Sequence, residues 1–254
     1  MQELDYQQLS TLLTRGPVPV FATVSGAHLY GFPSPNSDID LRGAFVLPLR
    51  VVLGLKLPRE TLTVTSYPGD FELDWVAHDI HKFARMMSSR NGYVLEQLYS
   101  PLVVHGGEWL DRLRHVGQGF MISHLYYHYR GFLLNQRKLL SRSEPTVKAL
   151  LYAYRVAFTG MYVLRSGRIE SSLPRLMELF EHPELGELLA RKQLGDEHGA
   201  LRPGELEAHE PRLEKLQSDL EEVWKASPLP KTATPAALDA LNDYVVDIRL
   251  ALGA

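Results

Sequence analysis

The amino-acid sequence predicts an α+β protein, and three observations predict it. Apolar or alternating runs of strand length are confined to roughly the first 105 residues. From Gly107 onward apolar residues recur at helical spacing, in segments 108–114, 119–141, 145–166, 174–180, 185–193, 203–225 and 235–252. The change of pattern falls near residue 105, so a mixed α/β domain is expected over 1–106 and an all-α domain over 107–254.

Each element has a local reason. Leu9, Leu12 and Leu13 sit at helical spacing over residues 5–14, and Gly16-Pro17 stops that helix. Val18 to Val24 is an apolar run that reads as a buried strand. It enters a glycine-bearing loop, Gly26 to Gly31, and the chain re-emerges extended from Ser37 to Leu47. Residues 49–60 read as a short helix or irregular connection. Thr61–Tyr67 and Phe71–Ala77 alternate around Pro68-Gly69-Asp70, which predicts a hairpin. A helix from His78-Asp79 to about Ser89 presents Ile80, Phe83, Ala84 and Met87 on one stripe, and Asn91-Gly92 breaks it. A second helix over Tyr93–Tyr99 and a short extended segment, Leu102–Val104, complete the first half. In the second half Gly131 and Gly160 weaken two helices internally, and Thr234-Pro235 is a cap followed by a first-turn proline.

Composition narrows the classes. The chain has 254 residues, 45% hydrophobic and 22% charged, enough for a sizeable core. It has no cysteine, which excludes disulfides and thiolate zinc sites and fits a reducing compartment. A net charge of −3 means that any grip on nucleic acid must be a local patch. The start, Met1-Gln2-Glu3-Leu4-Asp5, is unlike a signal peptide, and no apolar run approaches the ~18 residues that span a bilayer. A cytoplasmic protein is expected, with no membrane partner.

The chemistry concentrates between Val24 and Gly43. In a strand Asp38, Asp40 and Arg42 share one face, with ~7 Å between successive members, while Ile39 and Leu41 point into a core. Carboxylates so placed repel unless a cation lies between them, and hard divalent ions such as Mg2+ take such oxygen clusters. Gly26 and Gly31 let the backbone turn and approach a ligand. The plain alternative is a solvated strand end, where Asp is common. Asp74, flanked by Leu73 and Trp75, is an acid within a strand, and such a group needs a partner or a metal when buried. Glu72 shares its parity and competes with it.

Gly-x-x-x-x-Gly, a short loop and Ser37-Asp38-Ile39-Asp40 resemble the signature of the DNA-polymerase-β-type nucleotidyltransferase superfamily. The following Leu41-Arg42-Gly43, the run Asp74–Phe83 and the run Asn91–Leu98 are similar to its bacterial and phage "predicted nucleotidyltransferase" branch, one lineage of which is associated with RNA ligases and RNA repair. The resemblance covers residues 15–110 well and the second half loosely. It implies a mixed nucleotidyltransferase sheet flanked by helices. It also implies two Mg2+ ions, with Mn2+ as a substitute, held by Asp38, Asp40 and Asp74. Nucleoside monophosphate would pass from an NTP to a hydroxyl, with RNA the leading acceptor. The nucleotide would be held by Gly26, Ala27, His28, Gly31, Ser37 and Arg42. A helical domain that closes over the nucleotide would add Lys148 and Arg155, which with Tyr152 fall at i, i+4, i+7 on one helix face.

One departure stands out: the superfamily usually has Gly-Ser where this chain has Gly26-Ala27, with Ser25 in front. Arg42 is read either as a phosphate contact or as a structural ion pair, His28 as a ligand contact or a polar filler, and Lys148–Arg155 as triphosphate contacts or a solvated basic face. Tyr126, Tyr127, Tyr129 and Arg130 suit stacking against single-stranded nucleic acid. Transfer to a protein or small-molecule hydroxyl, an antitoxin-like enzyme acting on a protein partner, and a non-catalytic nucleotide-binding module are the other readings.

Overall fold

A computed structural model describes residues 5–13, 17–56, 58–66, 72–141, 144–195 and 199–253. Its elements, in chain order, are α1 (Tyr6–Leu13), β1 (Val18–Val24), α2 (Gly26–Tyr30), β2 (Ile39–Val46), α3 (Leu49–Val52), β3 (Thr61–Ser66), β4 (Leu73–Asp79), α4 (Ile80–Ser88), α5 (Gly92–Leu98) and β5 (Val103–His105). Helices α6 (Glu108–Gly117), α7 (Leu125–Leu140), α8 (Val147–Ser166), α9 (Leu173–Leu179), α10 (Gly186–Gln193), α11 (Glu205–Lys225) and α12 (Pro235–Leu252) follow. The α+β class read from the sequence is the one observed. The turn expected at Pro68-Gly69-Asp70 lies outside the described residues, but its two arms, β3 and β4, pair antiparallel as a hairpin requires.

The chain divides into two compact units, and both are discontinuous. One holds the described residues of 2–26, 38–120 and 233–254; the other holds those of 27–37 and 121–232. α6 and α12 belong to the sheet-bearing unit, and the loop 27–37 belongs to the helical one.

In the sheet-bearing unit the strands run β3-β4-β2-β1-β5. β2 and β4 are parallel and the other neighbours antiparallel, so the sheet is mixed. β1 is buried from Val20 to Val24 because strands cover both its edges. Its register with β2 shifts between Pro19 and Phe21, next to a proline that has no N–H for the ladder. Alternation sorts the faces. Leu41, Phe45, Leu73 and Trp75 pack with Leu9 and Leu13 of α1. The opposite face carries Asp40, Arg42 and Val76, and beside them Phe21 meets Phe83 of α4 edge-on, ring centroids 5.3 Å apart.

The expected helix start at His78-Asp79 is corrected. β4 continues to Asp79 with Trp75, Ala77 and Asp79 all facing in, and Asp79 then caps α4, its Oδ1 accepting from the His81 N–H at 3.0 Å. The same carboxylate accepts from the Leu47 N–H at 3.1 Å and pairs with Arg249 of α12. Arg249 also donates to the Leu47 carbonyl at 3.2 Å. This buried ion pair ties the last helix to the sheet. Asp79 is 1% exposed and the Arg249 side chain 11%.

In the helical unit α8 is the central element, with residues on every side buried. Gly160 explains how its neighbours come so close: a Cβ there would lie 2.7 Å from Tyr129 of α7 and 3.0 Å from Leu220 of α11. It is a packing glycine, not a break in the helix. The segment expected as one helix over 119–141 instead opens with a 3-10 turn at Gln118–Phe120, and α7 starts at Leu125. Between them the Ser123 N–H leaves the helical pattern to bond the Pro230 carbonyl at 2.8 Å. His209 of α11, 7% exposed, shares a 2.8 Å hydrogen bond with the Tyr154 hydroxyl. Burial, reinforced by the nearby Arg212 charge, lowers its pKa. No helix among the described residues is long and apolar enough to cross a membrane.

Two stability effects follow. Arg249→Met leaves the buried Asp79 without its cation and should cost about 3 kcal/mol or more in urea unfolding; a loss under about 1 kcal/mol would show that the pair contributes little. His209 is more acidic folded than unfolded, so its contribution to stability is complete above the ordinary histidine pKa of about 6.5 and is lost as pH falls below it. His209→Gln should therefore flatten part of the drop in Tm between about pH 7 and 5, and an unchanged profile would contradict this.

Candidate active site

The pairing of β2 with β4 builds the site. Their parallel register sets Asp40 against Asp74 and Arg42 against Val76. Glu72, the competitor for third carboxylate, stands outside the strand, its carbonyl accepting from the Ile39 N–H at 2.8 Å; Asp74 is the acid in register with Asp40. Both carboxylates are part-exposed on one face, at 28% and 32% of side-chain area. Asp38 precedes β2 by one residue and is exposed.

Arg42 binds both acids. Its Nη2 donates to Asp40 Oδ1 at 2.6 Å and to Asp74 Oδ2 at 3.0 Å. Nη1 donates to the carbonyls of Leu41 and Asp74, and Nε to the Tyr93 hydroxyl at 3.1 Å. Burial acts against its charge, but Tyr93, Asp40 and Asp74 outweigh that effect and raise its pKa. The ion pair read for Arg42 is present, with both acids.

Gly26 closes the other side of Asp40. Its φ is +60°, and a Cβ there would sit 1.9 Å from Asp40 Oδ2. The Ser25 N–H bonds the Asp40 carbonyl at 2.8 Å, which fixes the approach. The Ser25 hydroxyl next to it is buried and has no hydrogen-bond partner among the described residues. Only a residue without a side chain allows backbone and carboxylate to meet here. α2 starts at Gly26, directly after β1. Asp40 and Asp74 offer hard carboxylate oxygens from neighbouring strands on one face, the donor type that divalent cations take.

The remaining nucleotide-binding candidates lie in the helical unit. Ala27 is 9% exposed. His28 is half-buried, bonds the Ser37 backbone, and has its pKa lowered by that burial; its Nε2 has no hydrogen-bond partner among the described residues. Gly31 has φ +81°. The Ser37 hydroxyl accepts from the Ser34 N–H at 2.9 Å and pairs with the Ser34 hydroxyl at 3.0 Å. Lys148 is partly exposed on α8. Arg155 is 2% exposed, its guanidinium 3.7 Å from the Tyr30 ring centroid and 5.7 Å from that of Tyr152. Of the tyrosine cluster, Tyr129 is buried at 0% and Tyr126 stacks on Trp224 with centroids 4.3 Å apart, while Tyr127 stays 49% exposed. Sequence reasoning missed two supporting residues. Tyr93 orients Arg42. Lys192, 0% exposed, donates to Ser34 at 3.2 Å, and no spacing could have linked residues 158 apart.

Among the described residues, Asp38, Asp40 and Asp74 do not bring their ligand atoms within 4.8 Å of one another; the His/carboxylate group that converges that closely is Glu60, Asp79 and His81. Its members already serve other charges: Asp79 holds Arg249, and Glu60 faces Arg85 at 3.1 Å and His81 at 3.5 Å. It lines a cleft of about 560 Å³ and reads as an ion-pair network around α12.

A mixed sheet sets register-matched aspartates beside a positive-φ glycine in a chain whose family is of the polymerase-β type. The sequence profile of the RNA repair pathway DNA polymerase beta family matches residues 1–247, and the chain belongs to that family. Nucleotidyltransferases of this type typically use divalent metal ions. Two relatives are similar. An uncharacterized protein of Methanocaldococcus jannaschii, MJ0002, is 30% identical over 61% of this chain and 63% of its own length. An uncharacterized protein of Bacillus subtilis, YcgL, is 29% identical over 70% of this chain and 71% of its own.

Gly26→Ala forces a Cβ into Asp40 and a strained φ that alone costs about 1–2 kcal/mol. It should lower nucleotide affinity at least about tenfold. Gly131→Ala, in a helix position where a Cβ meets nothing within 4 Å, should instead stabilise the fold by about 0.5–1 kcal/mol. Equal behaviour of the two variants would contradict the role given to Gly26.

Proposed function

We propose that this protein is a divalent-metal-dependent nucleotidyltransferase that moves a nucleoside monophosphate from an NTP to a hydroxyl of RNA, as an end-modifying or repair step. The observation that carries the reading is the matched pair Asp40 and Asp74 beside Gly26, in a chain whose family profile spans 1–247. Asp38 and Asp40 would hold both metal ions, and Asp74 would share one of them. When bound, the ions neutralise charge on the attacking and leaving oxygens of an in-line displacement.

The chain's own groups do the rest. Gly26 leaves the backbone bare, so that N–H groups at the start of α2 can meet the triphosphate. Asp74 accepts the proton of the acceptor hydroxyl as its oxygen attacks the α-phosphorus and the bond to pyrophosphate breaks. Ala27, His28, Gly31, Ser37, Lys148 and Arg155 are proposed nucleotide contacts on the family resemblance alone. Tyr127, the exposed ring of its cluster, with Arg130 beside it, suits stacking against an unpaired RNA base. A second reading, a nucleotide-binding module without turnover, is favoured by Ala27 where the superfamily usually has serine.

The test is label transfer from each α-labelled NTP with Mg2+ or Mn2+, offered RNA, total protein and small-molecule hydroxyls. Label should move to RNA, and Asp74→Asn should cut the rate about 10³-fold while leaving NTP affinity within about threefold. Label on protein alone would redirect the acceptor. Nucleotide binding with no label anywhere would establish the second reading.

A further inference from the structure

We infer that β3 is the interface of a two-fold dimer, in which the β3 edges of two copies pair antiparallel about Thr63 and join their sheets into one. The inference stands apart from the nucleotidyl-transfer reading. β3 is an end strand of the sheet, and among the described residues it pairs with β4 alone. Such an edge is a template for further pairing, and proteins usually guard it with charge, proline or a bulge. This one has none of them. Thr61–Ser66 reads TLTVTS, rich in β-branched residues and without charge. Its register with β4 is unbroken from Thr61 to Ser66, and Thr63, Val64 and Thr65 are exposed.

The backbone sets the register. The Asp79 N–H bonds the Glu60 carbonyl at 2.8 Å, so Glu60 turns its peptide groups toward β4. Alternation turns those of Leu62 and Val64 the same way and leaves the N–H and C=O of Thr61, Thr63 and Thr65 facing outward. A second β3 laid antiparallel, with Thr63 opposite its own copy, sets Thr61 opposite Thr65 on either side. Every one of these Thr pairs then exchanges both of its N–H···O bonds. Leu62 falls opposite Val64 in the closer, non-hydrogen-bonded pairs, where apolar side chains meet best. Val64 is 41% exposed in the single chain. With Leu62 it lines an apolar cavity of about 210 Å³ that also touches Leu12, Leu13, Pro19 and Trp75. Pairing continues that apolar surface from one copy to the next.

Two features select a second copy as the occupant. A charge at the centre of a two-fold strand pair meets its like, and this strand has none. The ends of the strand are complementary in charge. Lys82 Nζ donates to Thr61 Oγ1 at 2.6 Å, and Asp74 stands in register with Thr65. Setting Thr61 opposite Thr65 therefore brings the cationic end of one strand beside the acidic end of the other. The axis passes through Thr63 perpendicular to the sheet, so both Asp40–Asp74 faces open to the same side.

The experiment is sedimentation velocity of the full chain between about 1 and about 100 µM, for wild type, T63K and T63P. The Thr63 N–H faces away from β4, so proline there spares the existing ladder. The sequence has no cysteine, so single-cysteine variants report the register. T63C sets its two copies about 5.5 Å apart between Cα atoms, within disulfide reach, and T65C sets them more than ~13 Å apart. Wild type should dimerise within this range. T63K and T63P should raise the dissociation constant at least about tenfold, with unchanged circular dichroism. Oxidation should link T63C into dimers and leave T65C unlinked. Wild type that stays monomeric at about 100 µM overturns the inference and leaves the edge to another extended chain. A dimer that T63K leaves intact, or T65C linking as readily as T63C, overturns it as well. If T63P does not fold, T63K and the two cysteine variants decide.

Discussion

The parallel pairing of β2 with β4 is the constraint on which the rest depends. A shift of one residue would turn Asp40 or Asp74 to the other face, among Leu41, Leu73 and Trp75, where an unpaired carboxylate is costly. The register is held from both faces. Beneath the sheet α1 packs on the apolar residues; above it Arg42 donates to the Asp74 carbonyl as well as to both carboxylates. Side-chain chemistry and backbone ladder thus specify the same alignment.

The same economy appears at the sheet's other end. Asp79 ends β4, caps α4, accepts from the Leu47 backbone and holds Arg249. One buried carboxylate therefore joins a strand, two helices and a loop. That accounts for its low exposure and for its poor fit to a metal: its acceptor positions are committed.

Much of this was legible in the sequence. Period-two alternation gave β3, β4 and the face shared by Asp40 and Arg42, because strand geometry is local. The glycine loop was legible because positive φ and close approach require glycine. Other features were not. That β2 and β4 run parallel is a long-range choice, invisible to a local pattern. That α12 joins the sheet through Arg249 and Asp79, 170 residues apart, is likewise beyond a local pattern. Parity placed Arg42 on the aspartate face, but its ion pair with Asp74 depends on the position of β4. For Ala27, His28, Ser37, Lys148 and Arg155 the sequence offered residue type and spacing, and their surroundings come from long-range packing such as that of Arg155 on Tyr30.

The most direct measurement is anomalous diffraction from a crystal grown with Mn2+ and a non-hydrolysable triphosphate. The account predicts manganese peaks against the carboxylates of Asp38, Asp40 and Asp74, with the triphosphate running past Gly26. Manganese at Glu60, Asp79 and His81 instead, or aspartates on β2 and β4 that touch no metal, would contradict it.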